Sequence, residues 1–395
     1  MSQRTGNNNP VKELEIFAMA SDPIYIGTGG YTIGRVDNTI VRDPITNVPK
    51  IPGSSLAGTW RYYVVLEVHK YFSNDKFKIN KSERKNKLNE FLRSKGKSIW
   101  SALDSNERKE FMKQIFNIED SNNKKWILFE GNRFIGIKCA GQDEAPDKYF
   151  EDLNDSVENT GHCGHCIVCK GFGFSKKDIS WQGMLFFSDL EIILFPVFTI
   201  KGTKWITTAS KLRKTGIDES KPTDKKIRIH NSEEDISHLN LGWLYLEVDT
   251  SKHNISLTND ISEFGSFKLE PKDIIIVPED LFPHIVNSNL EVRTSVSIDP
   301  ITGAAKEGAL FTSEAIPRGT IFYGNIRIFD KKSFGEIEEK LTPLPEVGDL
   351  KNALEDSKHF YETLGIGGMT TRGFGRLVIN LQEKKNNSDG GNQDV

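Results

Sequence analysis

Residues 183–200, GMLFFSDLEIILFPVFTI, limit the choice of fold more than any other stretch of this chain. They are dense in β-branched and aromatic side chains, which suit a pleated, buried surface, and a polar break at Ser188 and Asp189 suits a hairpin. Such a chain needs a sheet with another layer packed on it. Residues 126–137 read as a second core strand region. Helical spacing supplies the other layer. Leu56, Trp60, Tyr63 and Val64 recur behind a Ser54 cap, predicting a helix to about His69. Leu350, Ala353, Leu354, Tyr361 and Leu364 share one face of a helix predicted over 349–364. Further strands are predicted near 14–18, 273–277, 290–298, 309–316, 320–329 and 376–381, with a short helix opened by Pro278, Glu279 and Asp280. The summed order is an α+β pattern with mainly antiparallel strands.

At 395 residues the chain has room for one large or two ordinary domains. A core is expected over 11–381, between disordered polar ends at 1–10 and 382–395. Two insertions interrupt it. One, about 74–180, is basic and helical before a cysteine loop; the other, about 201–272, opens as an arm with Lys201, Lys204, Lys211, Arg213 and Lys214. Trp205 and Ile206 lie among those cations, a composition suited to wedging between bases. The 52 Lys plus Arg nearly cancel 55 Asp plus Glu, so the average charge carries no nucleic-acid signature. With no apolar run of about 18 residues and a polar start, a soluble cytoplasmic protein with no membrane partner is expected.

Two segments, and a loop near the C-terminus, carry chemistry. Residues 27–61 combine Gly27, Gly29, Gly30 and Gly34 with Arg35, Arg42 and Lys50, and enter a helix at Gly53, Ser54 and Ser55. Glycines let a backbone approach a ligand, and a helix start offers N–H groups to a phosphate. Arg35, Arg42, Lys50, Ser54, Ser55 and Arg61 are the candidate contacts; a flexible loop before a capped helix is the simpler reading of the same spacing. Cys163, Cys166 and Cys169 form C-x2-C-x2-C with His162 and His165 interleaved. Thiolates at two-residue gaps curl around one tetrahedral ion, and a histidine completes a Cys₃His site. His162 is taken as fourth ligand, with His165 and the remote Cys139 as alternatives; zinc is the expected metal and an iron–sulfur cluster its rival. Residues 365–376, GIGGMTTRGFGR, offer Gly367, Gly368, Thr370, Thr371 and Arg372 to a phosphate backbone, or form only a helix cap and turn. Asp43-Pro44-Ile45-Thr46-Asn47 and Asp299-Pro300-Ile301-Thr302-Gly303 are matching turn sequences.

Taken in order, the Gly-rich loop, Asp37, Arg42, Pro52-Gly53-Ser54-Ser55-Leu56, Gly58 and Arg61, then blocks at 189–202, 274–322 and 364–377, form a series. The middle block includes Arg293, Asp299 and Glu314-Ala315-Ile316-Pro317. This series resembles the RAMP superfamily, the RNA-binding backbone subunits of type III CRISPR effector complexes, and within it the Cmr (type III-B) kind. The resemblance implies a ferredoxin-like core whose copies stack along one guide RNA beside other subunits of the complex. It implies an arm that splays the guide–target duplex, and a zinc loop. It also implies cleavage of single-stranded target RNA at an acid in the first loop, with Mg2+ or another divalent ion. By position that acid is Asp37, with Asp43 the lesser candidate. A carboxylate there can bind the ion or place a ribose 2′-OH for in-line attack on the adjacent phosphate. Ala57 departs from the pattern, which has a basic residue after the Ser-Leu pair, so that phosphate contact falls to Arg61 or Lys50. The alternatives are an architectural guide-RNA subunit that does not cut and, more distantly, an iron–sulfur oxidoreductase built on Cys139 and the cysteine loop.

Overall fold

The computed structural model describes residues 9–29, 36–72, 81–118, 122–141, 161–176, 179–219, 222, 225–230, 236–249, 251, 253–336 and 342–384. Arg35, both expected disordered ends beyond those limits and residues 142–160 of the first expected insertion lie outside the described residues. The chain divides into two compact units, one of Met1–Leu14, Ala57–Phe187 and Ile326–Lys358, the other of Glu15–Leu56, Ser188–Asn325 and His359–Val395.

The second unit is built on a sheet with strand order Leu377–Glu383, Val11–Ala20, Ile321–Phe329, Leu190–Thr199, Gly202–Thr207, Ile274–Ile276 and Arg228–Ile229. The strand Leu190–Thr199 falls in the apolar run of 183–200, and Leu190, Ile192, Ile193, Leu194 and Phe195 are all buried. Phe17, Ile193, Leu194, Ile274, Ile276 and Ile321 of the sheet pack in one buried cluster with Leu212, Ile261, Phe264 and Leu269. Burial of such side chains is worth about 1.5–3 kcal/mol each, enough to hold the short central strands in place.

The polar break does not make a hairpin. Leu185–Phe187 pairs antiparallel with residues 326–328 in the first unit, while Leu190–Thr199 pairs with residues 321–323 in the second. Ser188 Oγ instead accepts from Asn325 N at 2.8 Å. Nor is the basic stretch after Thr199 an arm. Gly202–Thr207 lies inside the sheet, antiparallel to Leu190–Thr199 and parallel to Ile274–Ile276. Ile206 is fully buried, Trp205 Nε1 donates to Gly319 O at 2.7 Å, and buried Lys204 donates to Lys272 O at 2.9 Å. These three side chains serve the core, so the base-wedging expectation for Trp205 and Ile206 is overturned. The free-standing element is elsewhere: Glu291–Ile298 and Ala305–Ala315 form their own two-stranded antiparallel sheet. Val292, Val296, Ile298, Ile301 and Leu310 are exposed on it.

In the first unit the helix Gly53–His69, which continues from the second, carries Trp60, Tyr63, Val64, Val65 and Val68 into the interior. Trp60 Nε1 donates to Leu354 O and Ser357 Oγ at 3.2 and 3.1 Å, tying this helix to Val347–Ser357. The predicted 349–364 helix is two pieces, Val347–Ser357 and Phe360–Thr363. Residues 126–137 are not strands but short 3-10 turns. Asn132 explains this: its Nδ2 donates to the carbonyls of Trp126 and Ile127, and its Oδ1 accepts from Ile167 N. A buried amide thus satisfies backbone groups that a ladder would otherwise satisfy.

Candidate active site and candidate metal centre

The first loop is pinned to the hairpin at Asn38. It bridges Ser313, donates its backbone N–H to Thr312 O at 3.0 Å, and reaches Thr312 O and Ser313 Oγ with Nδ2 at 3.3 Å each. Beside it, exposed Asp37 receives the Thr312 backbone N–H and hydroxyl on Oδ2 at 2.8 and 2.9 Å, and returns its own N–H to Thr312 Oγ1 at 3.1 Å. The N–H, then the hydroxyl, of Thr312 holds the Asp37 carboxyl below the usual carboxylate range, so it is ionised at neutral pH. Oδ1 has no hydrogen-bond partner among the described residues.

The other predicted contacts divide sharply. All three Arg42 nitrogens are used internally: Nε donates to Asn287 Oδ1 at 3.0 Å, Nη1 to Ile40 O at 3.0 Å, and Nη2 pairs with Glu314 at 2.7 Å. Lys50 pairs with Asp189 at 2.6 Å and Asp43 at 3.5 Å, and the helix start at Gly53 N donates to Asp189 Oδ1 at 2.7 Å. A carboxylate of the chain itself therefore occupies the cradle that the spacing suggests for phosphate. Arg61 donates to Cys139 O at 2.7 Å and lies 2.8 Å from His162 Nδ1, in the first unit. Ser54 is exposed and Ser55 half-buried.

Asp43 is a turn former. Its Oδ1 accepts from Ile45 N, Thr46 N and Thr46 Oγ1, with Asn47 at φ 56° closing the turn. Asp299 repeats this at the hairpin tip, accepting from Ile301 N and Thr302 N, so the two matching sequences build the same turn. In the C-terminal loop, Gly367 permits close approach to the chain's own backbone, since a Cβ there would lie 2.3 Å from Tyr25 O. Gly368 N donates to Tyr25 O at 3.0 Å. Thr371 and Arg372 are exposed, and Thr370 half-buried. Arg293 of the hairpin stacks 4.7 Å over Phe374 and donates to Gly373 O at 3.2 Å.

The candidate metal centre lies in the first unit. The Sγ atoms of Cys139, Cys163, Cys166 and Cys169 lie within 4.8 Å of one another, and all but Cys163 are buried. The expected fourth ligand, His162, is not in this group: its Nδ1 lies 4.0 Å from Cys169 Sγ, and Cys139 stands as the fourth thiol. Cys139 arrives on the 3-10 turn Ile137–Ala140, and Arg61 fixes its carbonyl while holding the His162 ring aside. The Cys163–Cys169 Sγ separation of 3.9 Å compares with about 3.8 Å for two sulfurs 2.3 Å from one tetrahedral ion. Cys163 Sγ accepts from His165 N and Cys166 N, and Cys166 Sγ from Cys169 N, as suits charged thiolates. The donor set fits a metal and leaves no position open for substrate.

Sequence reasoning misses Thr312, Glu314 and Asn287 as partners of the first loop. Each is more than 240 residues from its partner and carries no local signal. Asp189 opens the 189–202 block, yet nothing in the sequence gives it a role.

The molecule is thus a mixed α+β protein with a closed thiol centre in one unit and an exposed, anchored carboxylate in the other. Its residues 20–378 match the model of the RAMP superfamily, and the chain belongs to that superfamily. It is 31% identical over 117 residues to the CRISPR system Cmr endoribonuclease Cmr4 of Pyrococcus furiosus, covering 29% of this chain and 35% of that one. It is 36% identical over 69 residues to the CRISPR system Cms endoribonuclease Csm3 of Methanothermobacter thermautotrophicus, covering 18% and 28%. The aligned stretches therefore span about a third of these curated relatives. Among solved structures, a type III-B Cmr-beta complex in the apo state aligns at 14% identity and TM-score 0.47, over 95% of this chain and 98% of that one. Oligomeric Cmr4 from Pyrococcus furiosus aligns at 15% and 0.45, over 95% and 99%. No described helix is long and apolar enough to cross a membrane.

Proposed function

We propose that this chain is a guide-RNA-binding backbone subunit of a type III CRISPR complex, of the Cmr kind, and that it cleaves complementary target RNA at Asp37. The observation that carries the reading is Asp37 itself: exposed, ionised and clamped through one oxygen, with no partner for the other among the described residues. Oδ1 takes the proton of a target ribose 2′-OH as its oxygen bonds to the adjacent phosphorus and the P–O5′ bond breaks. The products are a 2′,3′-cyclic phosphate and, once the leaving oxygen is protonated, a 5′-OH. A lone exposed carboxylate also fits Mg2+, which commonly takes one or two carboxylates together with phosphate oxygens and water. Asp37 is the residue that would hold such an ion, which supplies neutralisation of phosphate charge.

The contacts to RNA fall to Ser54, Ser55, Thr370, Thr371 and Arg372, while Arg42, Lys50, Arg61 and Gly368 act as internal ties. The splaying arm is the hairpin at 291–315, whose exposed Val296 and Leu310 face each other across the pair. A ferredoxin-like core is supported by chain order: strand Val11–Ala20, helix Gly53–His69, strands Leu190–Thr199 and Ile321–Phe329, helix Val347–Ser357, strand Leu377–Glu383. In the sheet these strands run fourth, first, third, second. Partners are guide RNA, target RNA, further copies of the chain and the other subunits. The thiol centre holds a structural zinc, supported by its closed Cys₄ set; metal analysis should return one zinc and no iron.

Asp37→Ala tests the central claim. Complexes carrying it should bind target RNA as tightly as the parent and leave it intact. Slicing that persists at regular positions would remove the assignment of cleavage to Asp37.

A further inference from the structure

We infer that Thr312 is the positioning residue of the cleaving carboxylate: its hydroxyl and backbone N–H fix Asp37 Oδ2 so that Oδ1 alone is presented to RNA. This rests on the assignment of cleavage to Asp37. The geometry is unusually complete for an exposed side chain. Oδ2 receives two donors from one residue, at 2.8 Å from Thr312 N and 2.9 Å from Oγ1, while Asp37 N gives its proton back to Oγ1 at 3.1 Å. Asn38 adds a fourth link, from its N–H to Thr312 O at 3.0 Å.

A carboxylate on a free surface turns about two side-chain bonds, and in-line attack tolerates little error in the position of the base. Here the Thr312 backbone N–H is fixed by the antiparallel pairing of Thr312 with Thr294, so its direction is set by the hairpin and not by the loop. The hydroxyl, which both accepts and donates, closes the ring between the two segments. Thr312 thus makes the placement of Asp37 depend on the hairpin, 275 residues away in sequence. Two residues before Thr312 on the same strand stands exposed Leu310, opposite Val296. Leu310 and the Thr312 anchor of the carboxylate are consequently on one strand, about 7 Å apart along it.

The test uses the full chain assembled with guide RNA. Thr312→Val keeps the β-branched shape and the backbone N–H but deletes the hydroxyl; Thr312→Ser keeps both donors. At saturating target, Thr312→Val is expected to lower the single-turnover cleavage rate about tenfold with target affinity and melting temperature unchanged, and Thr312→Ser to recover most of the rate. In Asp37→Ala, hydrogen exchange at the Thr312 amide should quicken, because its acceptor is gone. Parental cleavage by Thr312→Val, or a loss that Thr312→Ser does not restore, overturns the positioning role. Asp37→Asn separates this from the underlying assignment: an active Asp37→Asn complex removes the cleavage reading itself, whereas an inactive one beside a fully active Thr312→Val removes only Thr312.

Discussion

The thiol centre and the Asp37 loop solve opposite problems. Three of the four cysteines lie within seven residues and are brought together by local turns; their sulfurs point at one another, and three of the four residues are buried. Asp37 is exposed and is held by a strand at the far end of the chain. The first site is closed on itself and fits a fastening role. The second uses one oxygen for anchorage and keeps one for a ligand, which is what a reacting group requires.

The largest expected effect separates the two directly. Asp37→Ala should reduce target cleavage by about 10²–10⁴-fold, the usual contribution of a positioned acid or base, while metal content and melting temperature stay at parental values. A change in either of the latter would mean that Asp37 is structural after all. Cys169→Ala should do the reverse: metal lost, melting temperature sharply lowered, and activity reduced only in proportion to the folded fraction. Binding of a structural zinc contributes about 10–16 kcal/mol in small zinc domains, so even a fraction of that is a large loss here.

A narrower pair of variants tests the makeup of the thiol centre. Cys139→Ser is expected to lower metal stoichiometry and stability nearly as much as Cys169→Ala, whereas His162→Ala should retain the ion while giving up the contact with Arg61. Metal lost from His162→Ala and kept by Cys139→Ser would restore the Cys₃His set.

What can be read from the sequence follows the same division. The C-x2-C-x2-C spacing announces a metal because its geometry is local. Cys139, on a turn some 24 residues earlier, has no such signal; Arg61 holds its carbonyl and its N–H donates to Gly136 O. Helix Gly53–His69 is legible through the spacing of its apolar residues, and strand Leu190–Thr199 through its density of β-branched and aromatic ones. Residues 126–137 are misread because an apolar run looks alike in a strand and in a core turn, and only the Asn132 amide decides. Trp205 and Ile206 are misread because cations on neighbouring residues mask a strand whose apolar side chains face the core. At the candidate active site, Asp37 is legible through resemblance alone, and Thr312 is not legible at all.

Lys211 offers a pH test within the second unit. Burial pushes its ammonium down to about 8, with Lys214 acting in the same direction and Glu191, Glu279 and Asp43 opposing; its Nζ lies 4.7 Å over the Phe282 ring. The unfolded chain, with an ordinary lysine near 10.4, then binds more protons than the folded one across pH 8 to about 10.5. Stability should therefore rise with pH through that window, by up to about 3 kcal/mol from this group. Denaturant midpoints for Lys211→Met should be flatter with pH than those of the parent; an equal slope would show that the folded lysine titrates normally.

The smallest effect concerns the tie between loop and hairpin. Arg42 is expected from the sequence to meet RNA, yet its guanidinium is committed to Asn287, Ile40 and Glu314, with side-chain exposures of 23% for Arg42 and 12% for Glu314. Arg42→Met removes the charge and leaves Glu314 half-desolvated, a loss of about 2 kcal/mol in stability. If Arg42 is only a tie, the salt dependence of RNA binding keeps its parental slope, because no phosphate interaction has been removed. A slope reduced by about one unit would instead return Arg42 to the RNA surface and make the loop less self-contained than its hydrogen bonds indicate. Arg42→Met with Glu314→Leu separates these outcomes further: apolar replacement of both partners should recover part of the stability, yet it cannot restore RNA affinity if the guanidinium itself meets a phosphate.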